Sequence, residues 1–445
     1  MFWKLSVEIL LLCMVTVDIS LASDYVKRND SYKCKLGSKT PYRCVANLDE
    51  SSLNYPDCVE KKIWLILRHG TRYPGKKYVP RMIDDLPELQ HVILQNYENG
   101  ATNLSADDAA LFKKWKLSFA RGQMMKLAVE GENEMIDLGE RYQARFPSLM
   151  PEIFDNQTYK IRFTSTQRTE ESARHFAIGL FGWHNSKNIR YPLPVYKDRV
   201  IRFYKVCPRW RQEVDKNPDA QLEKTKFLNS KIVRNMLINI RKRIGLDIDY
   251  ETAHLMHTTC AFETALNESI VSPWCKIFSL NDFKVFEYAE DLEFYWIDGY
   301  GYPLTYEQAC PALKDMFDSF GSEKGPLTTA YFTHSGTILK LTALLGIAKD
   351  AYPLTHDSFA LREKKDKRAW RSSIIDTFAS NLAFVLYDCE YYGPSILFML
   401  QERPVYLPGC PKDRPCPLNI MKAMYPDRDE ECQFDAMCHV TKQDN

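Results

Sequence analysis

Past residue 22 the 445-residue sequence lacks any apolar run long enough to cross a bilayer, so nothing downstream of the first segment reads as a membrane span. The last residues, Lys442-Gln443-Asp444-Asn445, are neither a hydrophobic anchor tail nor a KDEL-type retrieval signal. A charge excess is also missing: 59 Lys and Arg stand against 58 Asp and Glu, a formal net charge of +1. That balance argues against nucleic acid or an anionic membrane surface as the main partner, and any preference for anions must be local. There is no repeat of fixed period and no low-complexity linker, which removes solenoids and strings of small modules. Histidine is scarce, nine in all. His254 and His257 stand three apart without an evident third ligand, so they read as structural, and no metal is expected.

What is present points to the secretory pathway. Lys4, the apolar run from Ile9 to Val17 and the small residues Ser20 and Ala22 have the layout of a cleavable signal, with cleavage expected near Ala22. The expectation is a soluble protein that is secreted or resides in a lumen. Of 13 cysteines, Cys13 falls in this leader and twelve remain, an even number suited to disulfides. Cys410/Cys416 and Cys432/Cys438 look like local staples of a C-terminal tail, Cys260/Cys275 could close a short loop, and Cys58/Cys389 could tie neighbouring strands. The alternative keeps several of them as buried thiols. Sequons at Asn29, Asn103, Asn156 and Asn267 lie in polar stretches that would tolerate a glycan.

Short apolar runs at Ile63–Leu67, Tyr159–Thr164, Thr329–Thr333 and Leu382–Tyr387 read as strands. Helical patterns lie around Met135 to Phe146, Glu170 to Leu180, Asn229 to Ile244 and Ile338 to Ile347. Strands alternating with helices predict an α/β fold, a core sheet covered on both faces. The expected division is a leader (1–22) and one unit (23–445). That unit has a core at about 55–200 and 285–400, a mostly α-helical cap insertion at about 200–285 and a Cys-rich tail at 405–445. The run Lys364-Lys365-Asp366-Lys367-Arg368 reads as a solvated charged turn, or as a rim for an anionic substrate. His175 and His184 read as packing residues.

Three of the expected strands end in Arg68-His69, in Thr164 to Arg168 and in His334. Ligands of open α/β sheets sit beyond the carboxyl ends of the strands, where helix N-termini add positive potential. In Arg68-His69-Gly70-Thr71-Arg72 a His is flanked by two arginines, the residue for bidentate contact with phosphate oxygens, and Gly70 is expected to let the chain turn sharply. A neutral imidazole among fixed cations is a plausible nucleophile toward phosphorus. Taken alone, Arg-His-Gly also reads as an exposed basic turn around a structural His.

The full stretch Arg68-His69-Gly70-Thr71-Arg72-Tyr73-Pro74 resembles the signature of the second branch of the histidine phosphatase superfamily, the acid phosphatases and phytases. Thr164 to Thr169, with Ser172-Ala173 and Gly179-Leu180, resembles that family's second phosphate-arginine segment. More narrowly, Ser272-Pro273-Trp274-Cys275, Glu287-Tyr288 with Asp291-Leu292, Gly299 to Tyr302 and Ala379 to Tyr387 resemble the multiple inositol polyphosphate phosphatases. The resemblance implies a three-layer histidine-phosphatase core with an α-helical cap. It also implies His69 as nucleophile, Arg68, Arg72 and Arg168 as phosphate-binding residues, and His334 as a donor to the phosphoryl group. Small phosphate esters, above all inositol phosphates, would be the substrates, with 2,3-bisphosphoglycerate a further one the resemblance allows; no cofactor is implied.

Two positions depart from the family's pattern. Its members follow the second His with a carboxylate, His-Asp or His-Ala-Glu, whereas this chain has His334-Ser335-Gly336-Thr337. Gly336 therefore stands where the resemblance implies the acid that protonates the leaving alcohol, a step commonly accelerated about 10² to 10⁴-fold by such an acid. Another carboxyl or a water could substitute, the enzyme could be slow, or the chain could be a binding protein. Ile297-Asp298 stand where basic residues would be expected, which leaves a secreted acid phosphatase of different specificity as a further reading.

Overall fold

The computed structural model describes residues 31–360, 368–425 and 432–440. The expected leader with Cys13, the sequon at Asn29 and residues 364–367 of the charged run lie outside them.

The first strand, β1 (Cys58–Arg68), is buried without interruption from Lys62 onward, as expected of a central strand covered on both faces. Its neighbours are β3 (Thr328–Thr333), parallel, and β4 (Asn381–Cys389), antiparallel; β2 (Tyr159–Phe163) lies parallel beyond β3. The last full strand, β5 (Gly393–Leu400), pairs with β4 and carries the short β6 (Arg403–Pro404) and β7 (Cys416–Pro417). The sheet order is β2-β3-β1-β4-β5-β6, with β7 also on β5. The three parallel strands are adjacent, so the ends of β2, β3 and β1 lie side by side on one edge.

Alternation along β1 builds two cores. Ile63, Leu65 and Leu67 join Met135, Leu138 and Phe176 from the helices Val129–Arg145 and Gln167–Ser186. Trp64 and Ile66 point the other way, into a cluster with Tyr331, Phe384, Ile338 and Met316. Each such side chain contributes about 1.5–3 kcal/mol of burial, and Trp64→Ala would cost about 3–5 kcal/mol because a large cavity would remain. The sheet is thus the middle of three layers.

The cap draws on two stretches of chain. Between β2 and β3 it supplies the helices Lys231–Ile244, Tyr250–Leu266 and Leu280–Ile297. Their starts are set by Ser230, Asp249 and Ser279, whose side chains accept backbone N–H groups of the first turn. The helices Leu86–Glu98 and Ala106–Lys114, between β1 and the helix Val129–Arg145, pack onto this group, with Phe112 and Trp115 set edge-on to Trp274 at ring distances of 5.1 Å.

All twelve cysteines of the described residues are paired. Cys58–Cys389 joins β1 to β4 at directly opposed positions, and Cys260–Cys275 and Cys410–Cys416 close the short loops expected of them. The expected Cys432–Cys438 staple is wrong: the tail is instead bonded outward, through Cys207–Cys438 and Cys310–Cys432. The helix Phe434–Cys438 fills the gap between the two cysteines. Its five residues rise about 7.5 Å at about 1.5 Å per residue and carry Cys438 away from Cys432, beyond the reach of one disulfide. Cys410 and Cys416 have the same spacing without a helix between them and come within 5.2 Å. Cys34–Cys44 was not anticipated.

Candidate active site

His69 leaves the end of β1 and is held in line by its backbone N–H donating to Thr333 O on β3, at 3.1 Å. Its Nδ1 lies 2.9 Å from Gly70 O. A carbonyl only accepts, so Nδ1 carries the proton and Nε2 keeps its lone pair. Burial, then the charges of Arg168, Arg68 and Arg72, hold the imidazole well below the usual histidine range, so it is neutral.

The turn after His69 has a different cause from the one expected. Gly70 has no left-handed φ; a Cβ there would fall 2.4 Å from Gly131 O, and a Cβ on Gly131 would fall 2.2 Å from Thr71 O. The two backbones touch, and only glycine fits at either position. Glu134, from the same helix as Gly131, accepts from Thr71 N at 2.7 Å, Thr71 Oγ1 at 2.9 Å and Tyr42 N at 3.1 Å. Burial pushes its carboxyl up to about 7 despite these donors. Gly70 N donates to Ser172 Oγ, which donates to Arg168 O, so the loop after β1 is fastened to the segment after β2.

Arg168 lies in the first turn of the helix Gln167–Ser186, and His334 is the N-cap of the helix Ser335–Leu344, so two helix N-termini face the same edge of the sheet. Arg168 Nη2 donates to His334 Nδ1 at 3.2 Å, and His334 Nε2 meets Thr164 Oγ1 at 2.9 Å. Both His334 nitrogens are thus engaged inside the protein, and its ring lies 5.6 Å from that of His69. Burial, followed by Arg168 and Arg202, keeps His334 neutral as well.

Arg68 is anchored from one side: its Nη1 donates to the carbonyls of Ser38, Asp376 and Thr377, and its guanidinium carbon lies 4.9 Å over the Phe378 ring. Arg72 donates to Tyr73 O and is fixed by a backbone bridge to Leu127. Burial and then mutual repulsion push Arg72 down to about 9, and burial and Arg202 push Arg168 down to about 10. The Nε groups of Arg68, Arg72, Arg168 and Arg202 are buried without a hydrogen-bond partner among the described residues. Cations concentrated in this way, with donors left over, suit a tetrahedral anion.

The structure therefore brings Arg68, His69, Arg72, Arg168 and His334 together. Reading the sequence alone missed Arg202, Glu134 and Asp376. Arg202 stands on a cap segment beside Tyr204 and repels both His334 and Arg168, which makes it a fourth cation of the cluster. A Cβ on Gly336 would lie 3.2 Å from Tyr204 Cζ and 3.4 Å from Asp298 Oδ1. The charge of Asp298 is offset, because its carboxylate accepts from the fully buried ammonium of Lys340. His254 and His257 lie elsewhere, in aromatic stacks on Tyr250 and Phe286. His175 Nδ1 donates to Glu171 O of its own helix, and His184 is exposed, against the packing reading given to it.

A model of the histidine phosphatase superfamily (branch 2) matches residues 61–402, and the chain belongs to that superfamily. Within it, the chain is 31% identical over 419 residues to multiple inositol polyphosphate phosphatase 1 of Drosophila melanogaster, covering 91% of this chain and 88% of that one. It is 29% identical over 359 residues to the Homo sapiens protein of the same name, covering 75% and 71%. The fold is shared with the phytase from D. castellii, at a TM-score of 0.70, 16% identity and coverage of 92% and 88%. It is also shared with the Bifidobacterium longum multiple inositol polyphosphate phosphatase in complex with inositol hexasulfate, at a TM-score of 0.66, 16% identity and coverage of 85% and 94%.

Proposed function

We propose that the protein hydrolyses phosphate monoesters of inositol polyphosphates through a phosphohistidine on His69. One observation carries this reading: a neutral, buried imidazole with a free Nε2 stands where three parallel strands end, among arginines whose Nε groups lack partners among the described residues. Nε2 attacks phosphorus while Arg68, Arg72 and Arg168 meet the charge on the phosphoryl oxygens, and water then cleaves the N–P bond. An anion that draws Arg168 away from His334 leaves the Nδ1 lone pair free to take up a proton from solvent, which the phosphoryl charge stabilises, and His334 then donates it to a phosphoryl oxygen. Arg202 adds charge for a neighbouring phosphate of a polyphosphorylated ring. The named relatives support the substrate class. Six disulfides support a secreted or lumenal site, and Asn103, Asn156 and Asn267 are exposed as glycosylation requires.

Gly336 occupies the slot of the family's acidic residue. A second reading follows from it: a protein that holds inositol phosphates without turning them over. Phosphate release from phytate and para-nitrophenyl phosphate by the oxidised, glycosylated protein separates the two. The expected result is turnover of both, abolished in His69→Ala. Ligand-dependent thermal stabilisation with no release from either ester would instead establish the binding protein.

A further inference from the structure

The slot vacated at residue 336 does not leave the site without a carboxyl. The side chain next to His334 is Ser335, the first residue of the helix Ser335–Leu344, and its hydroxyl donates to Asp376 Oδ2. Ser335 is only partly buried, while Asp376 is wholly enclosed. The backbone carbonyl of Asp376 accepts from Arg68, and its Oδ1, 3.5 Å from Arg68 Nη1, has no hydrogen-bond partner among the described residues. One residue thus touches both the phosphate-facing arginine and the residue beside His334. Asp298 is the rival carboxylate near Gly336, but the buried Lys340 ammonium already occupies it.

We propose that Ser335 and Asp376 form a proton relay to the leaving oxygen, in place of the carboxyl that residue 336 lacks; this rests on the phosphatase reading above. Ser335 is the catalytic residue, and Asp376 acts through it. With Asp376 protonated the bond between the two side chains reverses, the carboxyl donating to Ser335 Oγ; as the P–O bond to the alcohol breaks and the Nε2–P bond forms, Ser335 Oγ gives its proton to the departing oxygen and takes one from the Asp376 carboxyl. Asp376 is left as carboxylate. In the second half, water attacks phosphorus, its proton passes through Ser335 back to Asp376, and the N–P electron pair returns to Nε2. Burial pushes Asp376 up to about 7; Arg68 and the Ser335 hydroxyl oppose the shift, and Glu290 and Asp298 add to it. An acid so placed is protonated below neutrality and lost above it.

The test compares phytate, whose alkoxide needs a proton, with para-nitrophenyl phosphate, whose leaving group does not. Ser335→Ala and Asp376→Asn are expected to lower kcat on phytate roughly 10² to 10⁴-fold while changing the aryl ester by less than about tenfold. Ser335→Thr, which keeps the hydroxyl, restores most of the phytate activity. In the wild type, kcat on phytate falls as pH rises through about 7 and that limb disappears in Asp376→Asn. Equal losses on both esters, or a leaving-group-selective loss in Asp298→Asn instead, would overturn the relay. If the wild type hydrolyses neither ester, it is the phosphatase reading itself that fails.

Discussion

Two clusters of arginine, one enclosed and one half-buried at the strand ends, are built on opposite terms. Under β4 and β5, Arg141 and Arg145 share Glu402: Arg141 donates to both its oxygens at 2.8 and 3.0 Å, and Arg145 Nη1 donates to Oε2 at 2.6 Å. The remaining Arg145 donors end on the carbonyls of Asn47 and Asp49. At the strand ends, Arg72 and Arg168 face other cations and have no carboxylate partner among the described residues. Burial lowers Arg141 and Glu402 more than reverses it, whereas nothing comparable answers the burial of Arg72. The first cluster is complete as it stands. Under the function proposed above, the second is completed by an anion, and the difference would separate arginine as scaffold from arginine as receptor.

The comparison breaks most visibly at Glu402. Glu402→Gln leaves two enclosed guanidiniums without a counter-charge and is expected to cost about 3–5 kcal/mol, read from urea unfolding, with kcat on the surviving folded fraction unchanged. Arg72→Met is the converse. It removes a cation the fold does not answer, so stability holds or rises while kcat/KM for any phosphate ester falls about 10² to 10³-fold. A stability loss in Arg72→Met equal to that in Glu402→Gln would erase the distinction.

A gentler probe is inorganic phosphate, which should raise the wild-type melting temperature by the equivalent of about 2.7 kcal/mol at a hundred times its Kd. Arg72→Met should lose that response and Glu402→Gln should keep it. The smallest effect is on pH. Glu134 and Asp376 are both pushed up to about 7, above the values of an unfolded chain, so each favours the fold in acid and loses that contribution as pH rises through 7. Melting curves should show about 1 kcal/mol lost per group between pH 6 and 8, and Glu134→Gln should remove its share.

The receptor cluster was the more legible one, because its residues follow apolar runs that stop abruptly: β1 is buried to its last residue, Arg68, and the chain then delivers His69. Family motifs supplied Arg168 and His334 on the same principle of strand end followed by helix start. What escaped reading depends on distant chain returning to the site. Arg202 is one more basic residue in a charged stretch until the cap lays it beside Tyr204, and Asp376 closes a four-residue helix that only tertiary packing sets against Ser335. Glu134 looks like an ordinary exposed helix glutamate until the loop after β1 folds onto it. The tail cysteines failed for a plainer reason, since spacing alone does not reveal the turn of helix between Cys432 and Cys438.

The contact of Gly70 with Gly131 has a bearing on descent as well as on shape. Each position forbids a side chain because of the main chain opposite, Gly131 O at 2.4 Å and Thr71 O at 2.2 Å, so neither can vary first without pushing apart the His69 loop and the helix behind it. Arginines around the pocket can be exchanged one at a time, each trial altering affinity by some factor. The glycine pair offers no such gradual path. Lineages that remodel this pocket to favour new esters are therefore expected to change its rim and its proton source long before they change the point on which His69 pivots.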